Sequence, residues 1–308
     1  MTAFDTSDAF VAPAWVKPLD VLGLLRRRLQ DDGTALALRH KQRGQWRAWR
    51  WDDVAAEVKA LSQRLADVGV GKGTRLAVSG ACEPRLLFTL LAAQTLEARV
   101  LLVPLADGQG AATLPQASVF WTNDRAQARA WQSSVGRNGE GLLCAPLPVH
   151  GAGNRIALQT LHPPQPVVVT LADHPAAGAG LLWYEEGSEW PEGLQRLLRF
   201  WLVEGLALAL PETPAAAVRD RHEVAPTRLL LSSTRLAALA AEIEARLPLP
   251  GSLARGLADW SRQGPAIGVR GVLRRRIRRL LGFQRLVAVE QLAAAGDSVW
   301  LAELERAA

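Results

Sequence analysis

Apolar and polar residues along the first third of the chain follow two periods. They alternate at 35–40 (ALALRH) and again at 46–51 (WRAWRW), and the polar link between these runs, with Gly44, predicts a β-hairpin. From Asp52, which reads as an N-cap, the spacing changes. Val54, Val58, Leu61, Leu65 and Val68 recur every three or four residues and line one face of a helix that Gly69 stops. Past a glycine turn, the run 75–79 is a short strand. Pro84 suits the first turn of a helix that reaches to about Glu97 and buries Leu86, Leu87, Leu90 and Leu91. The runs VLLVPL (100–105) and SVFWT (118–122) read as further buried strands, with Asn123 or Asp124 capping a short helix.

Residues 133–180 are rich in Gly, Pro, Ser and Ala and read as an irregular connection, with a strand candidate at 167–171. Alternation then resumes: a helix from Pro191 to Glu204, a strand at 206–210, a helix from Ala215 to Glu223, a strand at 227–233 and a helix from Leu236 to Arg246. Strand, helix, strand in succession implies an α/β fold with largely parallel sheet layers flanked by helices. The expected organisation is a first α/β half at 13–135, the connection at 136–180, and a second α/β half at 181–308 ending in a basic helical region.

With 49% hydrophobic and 21% charged residues in 308, wholesale disorder and fibrous architectures are excluded. The net charge of +6 is local: seven arginines and no acid lie at 270–285, leaving −1 for the rest. Cys82 and Cys144 form no CxxC, so neither a disulfide framework nor a structural metal is expected. The N-terminus lacks the basic and apolar regions of a secretory signal. The most apolar stretch, 197–210, holds Arg199 and Glu204 and is too short to span a bilayer. A cytoplasmic protein is expected. Only four lysines occur, none beyond Lys72, so later lysine chemistry is absent.

The candidate motifs are weak. GVGKGT (69–74) has Ala66 and Gly73 where a phosphate loop needs glycine and Ser or Thr, and it leads from a helix into a strand; it reads as a structural turn. AVSGA (77–81) sits at a strand-to-helix turn, but alanines replace both glycines of a nucleophile elbow, so Ser79 is not expected to be catalytic. The five histidines never fall at metal-ligand spacing. WRAWRW could stack on single-stranded nucleic acid, yet alternation puts Trp46 on one strand face and Trp49 and Trp51 on the other, as packing requires. Around 269–281, Val269, Val272, Leu273, Ile277, Leu280 and Leu281 recur at helical spacing among arginines. Such a helix can pack on the core with a solvated basic face, lie on an anionic membrane surface, or meet an acidic partner.

Several phrases in order resemble the AMP-forming acyl-CoA synthetases of the adenylate-forming superfamily, long-chain fatty-acid type. Residues 33–51 are similar to that family's opening hairpin, and 52–105 to its helix, "GV-x-x-GDRVAI" turn and strand, "N-x-P-E-W" helix and next strand. Residues 117–131 resemble "VFVED-x-x-Q". Residues 203–243 resemble the "EVRPT" turn, at Ala225, Pro226 and Thr227, and the "VPR-x-x-E" element, and 278–298 resemble "LG-x-RLRFAISGGAPL". The resemblance implies part of the large N-terminal synthetase domain.

It also implies an ATP-phosphate loop, S-G-T-T-G-x-P-K-G. The collinear residues here are LLWYEEGSEWPEGL (181–194), where Glu185, Glu186 and Glu189 would repel phosphate and lysine is missing. The Gly-rich 133–141 also lacks the threonines and the lysine. The chain ends before the "YG-x-TE" motif, the ribose-binding aspartate and the small C-terminal subdomain with its lysine.

No catalytic residue, cofactor site or metal site is carried over. The expectation is a truncated, degenerate pseudoenzyme that binds an acyl chain or acyl-CoA, or pairs with an active acyl-CoA synthetase or other lipid enzyme. Arg274, Arg275, Arg276, Arg278 and Arg279 are its candidate contact to an anionic surface. The alternatives are one half of a split fatty acid–CoA ligase, which would use ATP and Mg, and a basic module for nucleic acid, a disfavoured partner, or a membrane surface.

Overall fold

The described chain opens with a two-residue strand, β1 (Ala14–Trp15), and a helix, α1 (Val21–Asp32). This computed structural model describes residues 13–105, 116–138, 142–144, 155–156, 180–263 and 265–290. The expected hairpin follows as β2 (Leu36–Gln42) and β3 (Gln45–Arg50), paired antiparallel. Its two-residue link has Arg43 at φ 51° and Gly44 at φ 74°, both left-handed, as the twist of a tight hairpin demands. Helix α2 (Trp51–Asp67) starts earlier than Asp52 as N-cap implied. The Asp53 carboxylate accepts the Arg50 backbone N–H, while Asp52 lies inside the first turn. Trp51 is therefore helical and not a strand neighbour of Trp49.

Strand β4 (Arg75–Ser79) leads to α3 (Pro84–Thr95), with Pro84 at the first turn as expected. Strands β5 (Arg99–Leu102) and β6 (Val119–Thr122) follow. Asp124 caps α4 (Arg125–Asn138) by accepting the Gln127 N–H; at 14 residues this helix is longer than the sequence suggested. Within the expected connection lie β7 (Leu142–Cys144) and β8 (Arg155–Ile156), whereas the strand candidate at 167–171 falls outside the described residues.

Next come β9 (Leu181–Trp183) and α5 (Pro191–Leu198), which widens into a π-turn over Arg199–Val203. Strand β10 (Ala207–Leu210) precedes a 3₁₀ turn and α6 (Ala217–Val224). Strand β11 (Arg228–Leu230), helices α7 (Ser233–Arg246), α8 (Leu253–Arg262) and α9 (Gly268–Leu280), and strand β12 (Ala288–Glu290) complete the order.

Two compact units interleave along the chain. One draws on 1–24, 55–163 and 186–195, the other on 25–54, 164–185 and 196–308. The first holds a six-stranded sheet in the order β1-β5-β4-β6-β7-β8, parallel except for β1. Its core joins Ala77, Leu101, Phe120, Trp131 and Leu143, with Phe120 and Trp131 edge to face. The second holds a sheet in the order β12-β11-β9-β10-β2-β3, parallel except for the hairpin partner β3. Here Trp183, Leu229, Leu236, Ile243 and Phe283 form the core, and Trp46 from the hairpin joins them. The fold class is thus the expected one, α/β with two largely parallel sheets flanked by helices.

Candidate functional site

In an open parallel sheet, ligands bind outside the carboxyl ends of the strands, where successive connections leave in opposite directions. In the first unit that point lies between β4 and β6, because β5 and β7 flank them on opposite sides. The crevice is filled. Ser188 Oγ accepts the Gly80 N–H at 2.9 Å, and the Gly80 carbonyl accepts the Ser188 N–H at 2.9 Å. Gly187 lies so close that a Cβ there would sit 2.1 Å from the Gly80 oxygen. Asn123, just after β6, donates to the Ala81 carbonyl and would meet a Cβ on Gly80 at 1.9 Å. Gly187 is required here by close backbone approach, and Gly80 by the packed Asn123 side chain, rather than by a positive φ.

The same place is acidic. Glu189 accepts the Gly187 N–H at 2.8 Å, and Glu83 stands at the N-cap of α3. Burial pushes the Glu83 carboxyl above its usual range, against the opposing pull of Arg85 and Asn123. Ser79 is buried with its hydroxyl 3.5 Å from Ser188 Oγ, a pairing that activates no nucleophile.

In the second unit, β9 ends at a buried carboxylate. Glu185 accepts the Trp183 indole N–H at 2.8 Å and lies 3.8 Å from Arg235. Glu185 and Arg235 line a cleft of about 180 Å³ with Arg221 and Glu242, where one Arg221 nitrogen donates to both Glu242 carboxylate oxygens. Ligand pockets usually span ~300–1,000 Å³, so this cleft is small even for a drug-sized molecule.

The remaining sequence candidates resolve into structure. Lys72 pairs with Glu97 at 2.7 Å in an exposed turn where Gly69 and Gly73 take positive φ. Trp46 and Trp49 are buried on opposite sides of β3, and Trp46 donates to Glu223, so neither offers a stacking platform. Trp51 stacks on Trp201 at 5.6 Å. His40 is buried, and burial lowers its pKa to about 4 despite the Leu210 carbonyl beside it. Lys41, its neighbour, bonds Asp220 at 2.9 Å and Glu223 at 2.6 Å, a buried cluster that no sequence spacing announced. Burial of the Cys144 thiol pushes its pKa up to about 12 and makes it inert. Among the described residues no group of three or more His, Cys, Asp or Glu is placed to hold a metal, and no helix is long and apolar enough to cross a membrane.

The five candidate arginines divide. Arg274 turns inward, its Nε donating to the Ser261 carbonyl at 2.7 Å, and Arg278 donates to the carbonyls of Phe283 and Leu286. Arg275, Arg276 and Arg279 are exposed. The apolar stripe divides too: Leu273, Ile277 and Leu281 pack on the core, whereas Val269, Val272 and Leu280 face solvent.

No protein-family model and no curated protein matches the sequence. Solved structures do match in fold. VinN is 15% identical with a TM-score of 0.58, over 96% of this chain and 73% of VinN. The adenylation domain of a carboxylate reductase from Mycobacterium chelonae is 14% identical with a TM-score of 0.61, over 94% of this chain and 56% of that one. Coronafacic acid ligase from Pectobacterium brasiliense is 12% identical with a TM-score of 0.56, over 76% and 54%.

The fold is that of the adenylate-forming enzymes. The chain spans about half to three quarters of the length of these structures. The stretch 181–194, whose place in the chain resembles that of the family's phosphate loop, also holds Pro191, an exposed Glu192 and Gly193. These residues do not fit a polyphosphate. The amides that would cradle it are taken: that of Gly187 by Glu189, of Ser188 by Gly80 and of Trp190 by Gly187. Glu185 and Glu186 are buried there, and the stretch holds no lysine.

Proposed function

We propose that this chain is a non-catalytic protein on an adenylate-forming scaffold, one that binds and does not activate carboxylic acids with ATP. The observation that carries the reading is the phosphate-loop place. The backbone donors of Gly187, Ser188 and Trp190 are engaged within the chain, and Glu185, Glu186, Glu189 and Glu192 bring carboxylates to it where no lysine is present. Acyl activation requires preorganised donors and cations around the transferring group, and such electrostatic stabilisation commonly contributes more to catalysis than any other effect. Here the field has the opposite sign. The ligands that suit such a relic of a long-chain acyl-CoA synthetase are an acyl chain or acyl-CoA, or an active synthetase as protein partner.

The filled loop place also argues against a split synthetase, since a loop supplied by another chain would have to enter space that Gly187 and Ser188 occupy against Gly80. The direct assay is ATP–pyrophosphate exchange with aliphatic and aromatic acids of several lengths. The reading expects no exchange above the protein-free background with any acid; acid-dependent exchange would overturn it.

A further inference from the structure

We propose that the solvent side of the α8–α9 helical hairpin seats this protein on an anionic phospholipid surface. The hairpin belongs to the second unit and packs on it through Ala258 of α8 and Leu273, Ile277 and Leu281 in and after α9. Its opposite side is unusually apolar for a water-facing surface. On α8, Leu253 (91% exposed), Leu257 and Trp260 fall within one narrow arc. Ile267 in the link (75%) and Val269 at the start of α9 (73%) extend that surface.

On α9 the two chemistries interleave. At about 100° per residue, Arg275, Arg279, Val272, Arg276, Val269 and Leu280 share one outward arc of about 140°, and all six are exposed. Single apolar side chains between arginines form no socket for a folded partner. They suit a fluid interface, where aliphatic groups enter the acyl boundary and guanidinium groups stay at headgroup level on their alkyl stems.

Charge points to the same occupant. Between 260 and 289 there is no acidic residue. Two acids at the hairpin are engaged: Asp259 of α8 with Arg255 at 3.2 Å, and Glu244 of α7 with Arg255 at 2.9 Å. Arg270 stacks on Trp260 at 4.4 Å, holding an indole at the rim that keeps 40% of its surface in water. A nucleic acid would give the exposed Leu, Ile and Val side chains nothing to contact, because its outer surface is phosphate and sugar.

The test is co-sedimentation of the full chain with vesicles of phosphatidylcholine and phosphatidylserine, compared with phosphatidylcholine alone, in low and high salt. Binding is expected only with phosphatidylserine and is expected to weaken in high salt. Each cation near an anionic surface contributes about a factor of five, so R275Q/R276Q/R279Q should lower partitioning on the order of 100-fold. L253S/I267S/V269S should lower it about tenfold or more, because apolar burial is lost. Circular dichroism checks that both variants are folded. Hydrogen exchange on the unaltered protein gives a variant-free reading, with vesicles expected to slow exchange at 249–280.

The proposal is overturned if the protein ignores phosphatidylserine vesicles, if both folded variants partition like the parent, or if vesicle protection appears elsewhere and not at the hairpin. It is equally overturned if light scattering finds a dimer that L253S/I267S/V269S dissociates while vesicles stay unbound, which would give the face to a second copy of the chain.

Discussion

At the scale of single residues, burial decides what each ionisable group does. His40 shows the sign plainly: its folded pKa, about 4, lies below the 6.5 of an unfolded histidine. The unfolded chain therefore binds more protons between those values, and stability held above pH ~6.5 is lost as pH falls towards ~4, by about 3 kcal/mol for this one group. A denaturant series across that range should show the loss, and His40→Gln should flatten it; an unchanged acid limb in the variant would contradict the assignment. Lys41 is the opposite case. Burial opposes its charge, but hydrogen bonds to Glu223 and Asp220 outweigh it and raise the pKa, so its contribution is present below an unfolded lysine's pKa and is lost only in alkali as pH rises through the folded value. Lys41→Met leaves buried Asp220 with only the exposed Arg219 and the Glu212 N–H as partners and removes the cation from Glu223, so it should cost about 3 kcal/mol in denaturant unfolding.

At the scale of elements, sequence periodicity located most helices and strands because each carries its own amphipathic pattern. The α2 stripe through Val54, Val58 and Leu65 is buried as read. What periodicity could not give was which apolar residues find a partner. The α9 stripe is continuous in sequence, but the core reaches only Leu273, Ile277 and Leu281. Trp51 missed its strand because Asp53, accepting the Arg50 N–H, closes the helix N-terminus earlier than Asp52 implied.

The division of the arginines has a measurable counterpart. Arg274→Ala removes a donor from the Ser261 carbonyl and Arg278→Ala from those of Phe283 and Leu286, and each should lower stability by about 1–2 kcal/mol, whereas Arg275→Ala and Arg279→Ala should stay within about 0.5 kcal/mol by thermal or denaturant melts. The turn that fills the crevice is equally exposed to test. Gly187→Ala must push its methyl into the Gly80 carbonyl and should cost about 2 kcal/mol or more, while Gly256→Ala, with open space around it inside α8, should be neutral or stabilising.

At the scale of the whole molecule, each of two compact units is built on a largely parallel sheet, and in the first unit the crevice beyond β4 and β6 is closed by the chain's own backbone. The fold class was legible because strand and helix patterns alternate along the chain. The interleaving of the units was not, because it depends on β2 pairing with the distant β10, and local pattern holds no information on such a partner. The acidic character of the stretch 181–194 could be read from Glu185, Glu186 and Glu189. Its closure could not, since that rests on Gly187 and Ser188 meeting Gly80 from far along the chain. Charge and closure together carry the proposal of a scaffold that does not hold phosphate. The measurement that meets it most directly is calorimetric titration of the full chain with ATP and magnesium. The account predicts no saturable heat, and a one-site isotherm with stoichiometric ATP would contradict it.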